Sequence, residues 1–82
     1  MTDDEFNVLD ELYFVISFDQ LLDQVDYDEL QLLEILKKLQ SQGWVRCHKT
    51  VDEEWEISDL TNQQLKHSYF LATKTGLLAH NS

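Results

Sequence analysis

Eighty-two residues allow one folded domain, and a hydrophobic fraction of 43% is too high for wholesale disorder. The formal net charge of −10, from sixteen acids against six Lys and Arg, works against binding nucleic acid or anionic lipid, both of which are held largely through cations. No run of about 18 apolar residues occurs, so the sequence offers no helical membrane span.

The acid is unevenly placed. Residues 1–36 hold eleven acids and no Lys or Arg, and Lys37, Lys38, Arg46 and Lys49 follow as a short basic interval. Asp52, Glu53, Glu54, Glu56 and Asp59 then restore the negative charge. Such acidity either keeps a small protein soluble or serves a specific role. The acidic start Met1–Glu5 is unlike a basic secretory leader, and the lone Cys47 has no internal disulfide partner. Together these predict a cytoplasmic protein.

Three helix starts carry the same device, a capping side chain followed three residues on by Glu or Gln: Thr2–Glu5, Ser17–Gln20 and Asp26–Glu29. The first helix is expected over about 3–15, with Phe6, Leu9, Tyr13 and Ile16 as its stripe and Leu12 beside them. The second, over about 18–24, is anchored by Leu21 and Leu22. The third is expected over about 27–42, with Leu30, Leu33, Leu36 and Leu39 facing the core and Val25 stapled to Leu30. Gly43 supplies a left-handed C-cap, and Trp44 folds back on Leu39.

After Gly43 the period falls to two. Trp44–Lys49 alternates as a half-buried strand, and Val51, Trp55 and Ile57 suggest a second extended piece across the acidic turn Asp52-Glu53-Glu54. Thr61-Asn62-Gln63-Gln64 is a further capping pattern, so the 50–66 segment is either a long turn or holds a short helix. His67–Ala72 reads as a strand, and Thr73 opens a short closing helix through Leu77 and Leu78. The fold class is mainly α with a small antiparallel sheet, in one domain over 1–82.

Two stretches carry a resemblance to a known superfamily. Phe18-Asp19-Gln20-Leu21-Leu22 through Leu33, Leu36 and Leu39 to Gly43-Trp44-Val45-Arg46 resembles the helix-turn-helix of MarR-type regulators, whose third helix ends in a Gly before an apolar strand. Phe70-Leu71-Ala72-Thr73-Lys74-Thr75-Gly76 is similar to their strand, Leu-Thr-x-x-Gly, helix ending, with Ala72 in place of Leu. The resemblance implies a winged helix: a three-helix core plus a β-wing. That superfamily holds both DNA readers and protein-interaction modules, so the fold alone does not decide function.

Where this sequence departs from a DNA reader, the departures are electrostatic. A DNA-reading member inserts the N-terminal part of its third helix into the major groove. Here that part carries Asp26, Asp28, Glu29 and Glu34 around Gln31, the one residue suited to adenine. The wing tip, where readers carry Lys or Arg, is Asp52-Glu53-Glu54.

No catalytic constellation stands out. Cys47 and His48 alternate to opposite faces of a strand and, with His67 and His80, lack the paired short spacings of a zinc site. Cys47 is read as a small buried side chain and the histidines as surface groups. No triad, Gly-rich phosphate loop or shielded carboxylate pair appears. The chain is read as a non-enzyme without metal or cofactor.

The leading expectation is an interaction module that meets another protein. The acid prefers a basic partner or mimics nucleic acid, with Asp28, Glu29, Gln31, Asp52, Glu53, Glu54 and Trp55 as partner-binding residues. The alternative is a dimeric DNA-binding transcriptional regulator that sets Lys37, Lys38, Arg46 and Lys49 on phosphates. A third reading is a subunit active only inside a larger assembly. Phe14 falls off the stripe of the first helix, and beside Leu77 and Leu78 it offers a homodimer patch.

Overall fold

A computed structural model describes residues 1–56 and 59–81; the sequence reading of Ile57 as part of an extended piece lies outside the described residues. In chain order the elements are α1 (Asp3–Leu9), β1 (Ile16–Ser17), α2 (Phe18–Gln24), α3 (Glu29–Ser41), β2 (Val45–His48), α4 (Asn62–Lys66), β3 (Tyr69–Ala72) and α5 (Lys74–His80). The fold is helical with a small antiparallel sheet, in strand order β1-β3-β2.

The capping side chains set the helix starts. Thr2, Ser17 and Thr61 each accept from the backbone N–H three residues on, and the Glu or Gln there accepts from the cap's own N–H. Thr73 caps α5 by accepting from the Gly76 N–H. The third helix corrects the sequence reading by two residues. Its capping box is Asp28–Gln31 and not Asp26–Glu29: Asp28 Oδ1 accepts from the Gln31 N–H at 2.8 Å, and Gln31 Oε1 accepts from the Asp28 N–H at 3.0 Å.

Its buried face is corrected too. Leu32, Leu33, Ile35, Leu36 and Leu39 are buried, whereas Leu30 is 68% exposed. Residues three apart on an α-helix differ by about 60° in direction, so the row from 30 to 39 winds about 180° around the axis. Leu30 and Leu39 therefore cannot share one face. Leu32, Leu36 and Leu39 can, and of the expected Val25–Leu30 staple only Val25 packs against the core.

Helix α1 ends at Leu9, six residues before the expected Val15. The Leu12 N–H donates to the Leu9 carbonyl at 2.9 Å, closing a tight last turn, and the Leu12 carbonyl accepts from the Ala72 N–H at 2.9 Å. The chain is then extended, and Ile16 and Ser17 pair with Phe70 and Tyr69. Tyr13, Phe14, Val15 and Ile16 are β-branched or aromatic, so pairing with β3 outweighs one more helical turn. Of the expected stripe, Leu9 and Ile16 are buried while Phe6 and Tyr13 are exposed; Val8 and Leu12 take their places.

Strand β3 lies in the centre of the sheet, with Phe70 opposite both Ile16 and Cys47. All three are buried, as are Val45 and Ala72 on the same face. Helices α2 and α3 cover that face, and the Phe18 ring meets Phe70 at 6.4 Å. Gly43, at φ +76°, ends α3 as expected: its N–H donates to Gln40 and the Trp44 N–H to Leu39, each at 3.0 Å. A buried carboxylate, unnoticed in the sequence, ties α1 to this end of α3. Glu5 accepts from the Thr2 N–H and from Gln42 Nε2, each at 2.8 Å. The Thr2 backbone bond, outweighing desolvation, holds its carboxyl below the usual range.

Candidate functional site

The outer surface of α3 collects three of the seven expected partner-binding residues, Asp28, Glu29 and Gln31. Asp28, Glu29, Gln31 and Glu34 are exposed, and the side chains of Asp28 and Gln31 are engaged in the helix cap. That engagement removes Gln31 Oε1 from any adenine contact. Glu29 Oε2 accepts from Lys66 Nζ of α4 at 2.8 Å, so the nearest cation is already paired. Leu30 stands exposed between these groups, one helical turn from Glu34. Sequence reasoning missed it by assigning it to the core; the phase of Leu32, Leu36 and Leu39 was the signal that would have found it.

A compact turn after β2 carries the other acids. The Lys49 N–H donates to the Glu53 carbonyl at 2.7 Å, the Trp55 N–H to the Cys47 carbonyl at 3.1 Å, and Glu54 bridges to His48. Asp52, Glu53 and Glu54 are exposed at its tip. Trp55 belongs to the packing beneath. Its Nε1 donates to Ser68 Oγ at 2.8 Å, Ser68 Oγ donates to the Gln64 carbonyl, and its half-buried ring packs on the core with Lys49 Nζ 5.1 Å from the ring centre. Trp55 thus fastens the turn to the junction of α4 and β3.

The expected phosphate contacts are interleaved with acid. Lys37 shares a hollow with Asp59, and Arg46 shares one with Glu54 and Glu56. Lys38 lies in the last turn of α3, and Lys49 sits over Trp55. None of the four stands at the N-terminal edge of α3.

Phe14 is 84% exposed, in a hollow of about 530 Å³ lined by residues of the segment 10–16 together with Gln20 and Gln24. Helix α5 contributes no lining residue. Leu77 is half-buried against the core, and Leu78 is 63% exposed.

Two of the three histidines depart from the surface positions expected of them. The His80 side chain is 6% exposed, stacked on Phe6 at 4.1 Å and edge-on to Tyr13, with Nδ1 2.9 Å from the Tyr13 hydroxyl and Nε2 3.5 Å from Asp10 Oδ1. It covers the apolar gap between α1 and α5. His48 is half-buried with both ring nitrogens shielded. His67 is exposed, as expected.

Cys47 is 3% exposed, and burial, helped by the Glu54 carboxylate, pushes its thiol up to about 12. The thiolate is the reactive form. Iodoacetamide at pH 8 should therefore label the native chain about a thousandfold more slowly than the urea-unfolded chain. Equal rates would place Cys47 outside the core. The contribution of this thiol to stability is full below its ordinary value of 9.0 and declines as pH rises from there towards about 12.

Comparison with known protein families, with characterised proteins and with solved structures returns no match.

Proposed function

We propose that the chain is a winged-helix interaction module that binds a basic protein partner through the outer face of α3. Two features support the fold. The order is α1-β1-α2-α3-β2-turn-β3, and the central position of β3 brings the first strand into one sheet with the two strands that flank the acidic turn. The turn after β2 then serves as the wing, with α4 inserted between it and β3.

The observation that carries the function is Leu30. A helix that read DNA would offer polar and cationic groups there. Here an aliphatic side chain 68% exposed stands among Glu29, Glu34 and the capping Asp28, the arrangement of an apolar anchor with a charged rim. A protein surface with Lys or Arg around an apolar recess complements it. Nucleic acid offers neither the recess nor the positive charge.

The test is capture on the immobilised chain. A basic protein should be retained, should elute as ionic strength rises towards about 1 M, and should bind Leu30→Ala at least tenfold more weakly (about 1.4 kcal/mol). A captured protein indifferent to both Leu30→Ala and Glu34→Lys would refute the assignment to this face.

A further inference from the structure

We propose that the hollow around Phe14 is a second docking place, one that receives an arginine-bearing, extended segment of a partner protein. The inference rests on the reading of the chain as an acidic interaction module, but it uses a different surface: α3 contributes no residue to this hollow. The segment 10–15 leaves α1 early because β3 claims the Leu12 carbonyl and pairs with Ile16. Tyr13 and Phe14 are thereby left outside the core, and Phe14, at 84% exposure, contributes almost nothing to it.

The chemistry of the walls selects the occupant. Glu11 supplies a carboxylate, Phe14 a ring face and Gln24 an amide, while Asp10 and Tyr13, both held against His80, and Gln20, which caps α2, complete the wall. No Lys or Arg lines the hollow. A guanidinium meets both needs, since it stacks on aromatic faces and pairs with carboxylates through a planar fork. A second copy of this chain meets neither, because it would bring net charge −10 and the same acidic rim against its twin.

Recognition here is by side chains. The Phe18 N–H donates inward to Ser68, so in the alternating antiparallel pattern the Ser17 N–H faces away from β3. That outward N–H already donates to Gln20 Oε1 at 3.3 Å, which blocks addition of a strand to the edge of β1.

The test titrates the ¹⁵N-labelled full chain with the peptide acetyl-Ala-Leu-Arg-Arg-Leu-Ala-amide, and with the same peptide carrying neutral citrulline for arginine. The arginine peptide should move amide signals across residues 10–20. Phe14→Ala should weaken it at least tenfold with an unchanged melting temperature, and Glu11→Gln should weaken it and flatten its salt dependence. Citrulline should bind at least tenfold more weakly. Shifts confined to residues 28–34 would overturn this site and leave the α3 reading standing. No shift with either peptide would overturn this site, while the α3 reading would still stand or fall on capture of a basic protein by the parent and Leu30→Ala chains. Concentration-dependent dimerisation in sedimentation, lost in Phe14→Ala, would make the occupant a second copy and overturn the arginine assignment.

Discussion

Leu36→Ala is expected to lower unfolding free energy by about 2–5 kcal/mol, enough to threaten folding altogether. Leu36 is fully buried on the face of α3 that meets α1 and the sheet, between Leu32, Leu33 and Leu39. Truncation removes the transfer energy of the lost methyl and methylene groups and leaves a cavity that surrounding helices fill only in part. A chain of 82 residues has a total stability of about 4–12 kcal/mol, so one such loss is a large share of it. Leu30→Ala is the internal control. Its side chain is mostly solvated, so the change should stay within about 0.5 kcal/mol. Urea melts check both, and equal losses for the two variants would mean that α3 is rotated about its axis from the arrangement described.

Gly76→Ala should destabilise, against the usual sign. Within a helix, Ala is ordinarily favoured over Gly by about 1 kcal/mol. Gly76 lies in the first turn of α5, and a methyl group there would meet the Trp44 backbone, 3.0 Å from its carbonyl carbon and closer still to the oxygen. That backbone cannot retreat cheaply. The Trp44 carbonyl accepts from the Thr73 N–H at 2.9 Å, while the Thr73 hydroxyl donates to the Gly43 carbonyl at 2.7 Å and accepts from the Gly76 N–H at 3.0 Å. The substitution forces apart the end of α3 and the start of α5, and the overpacking should cost about 1–3 kcal/mol, read as a lower melting temperature. A raised melting temperature would show that the two segments do not touch.

The same junction explains how much of the fold was legible in the sequence. Local hydrogen-bond devices were readable because their partners lie within five residues: the boxes at Thr2, Ser17 and Thr61, and the Gly43-Trp44 ending of α3. The strand at 45–48 was readable from alternation, and that at 69–72 from its run of Tyr69, Phe70 and Leu71. What failed depended on distant partners or on phase. The two residues of β1 carry no period of their own, and only β3, more than fifty residues later, makes Ile16-Ser17 a strand. Asp26 and Asp28 each head a plausible box, and the burial of Leu32 on the core selects the second. The phase of Leu32, Leu36 and Leu39, and not the helix start, turns Leu30 from the expected core to the surface. His80 shows the same limit, because nothing near it in sequence announces Phe6 and Tyr13 as its neighbours.

The choice between a protein partner and duplex DNA turns on charge. Specific readers bind at about 10⁻⁸ to 10⁻¹¹ M at physiological salt and depend on several phosphate contacts to do so. Here Lys37 and Arg46 share their hollows with carboxylates, Lys66 is paired with Glu29, and the reading edge of α3 is acidic. The decisive measurement is a titration of a fluorescent random-sequence duplex at low and physiological salt. It uses the parent chain and a variant combining Asp28→Lys, Glu29→Lys, Asp52→Lys, Glu53→Lys and Glu54→Lys. The parent should bind no tighter than about micromolar at physiological salt, and the variant should bind more tightly, with a steeper loss of affinity as salt rises. Nanomolar binding by the parent, falling steeply with salt, would contradict the interaction-module account and leave a DNA-binding regulator in its place.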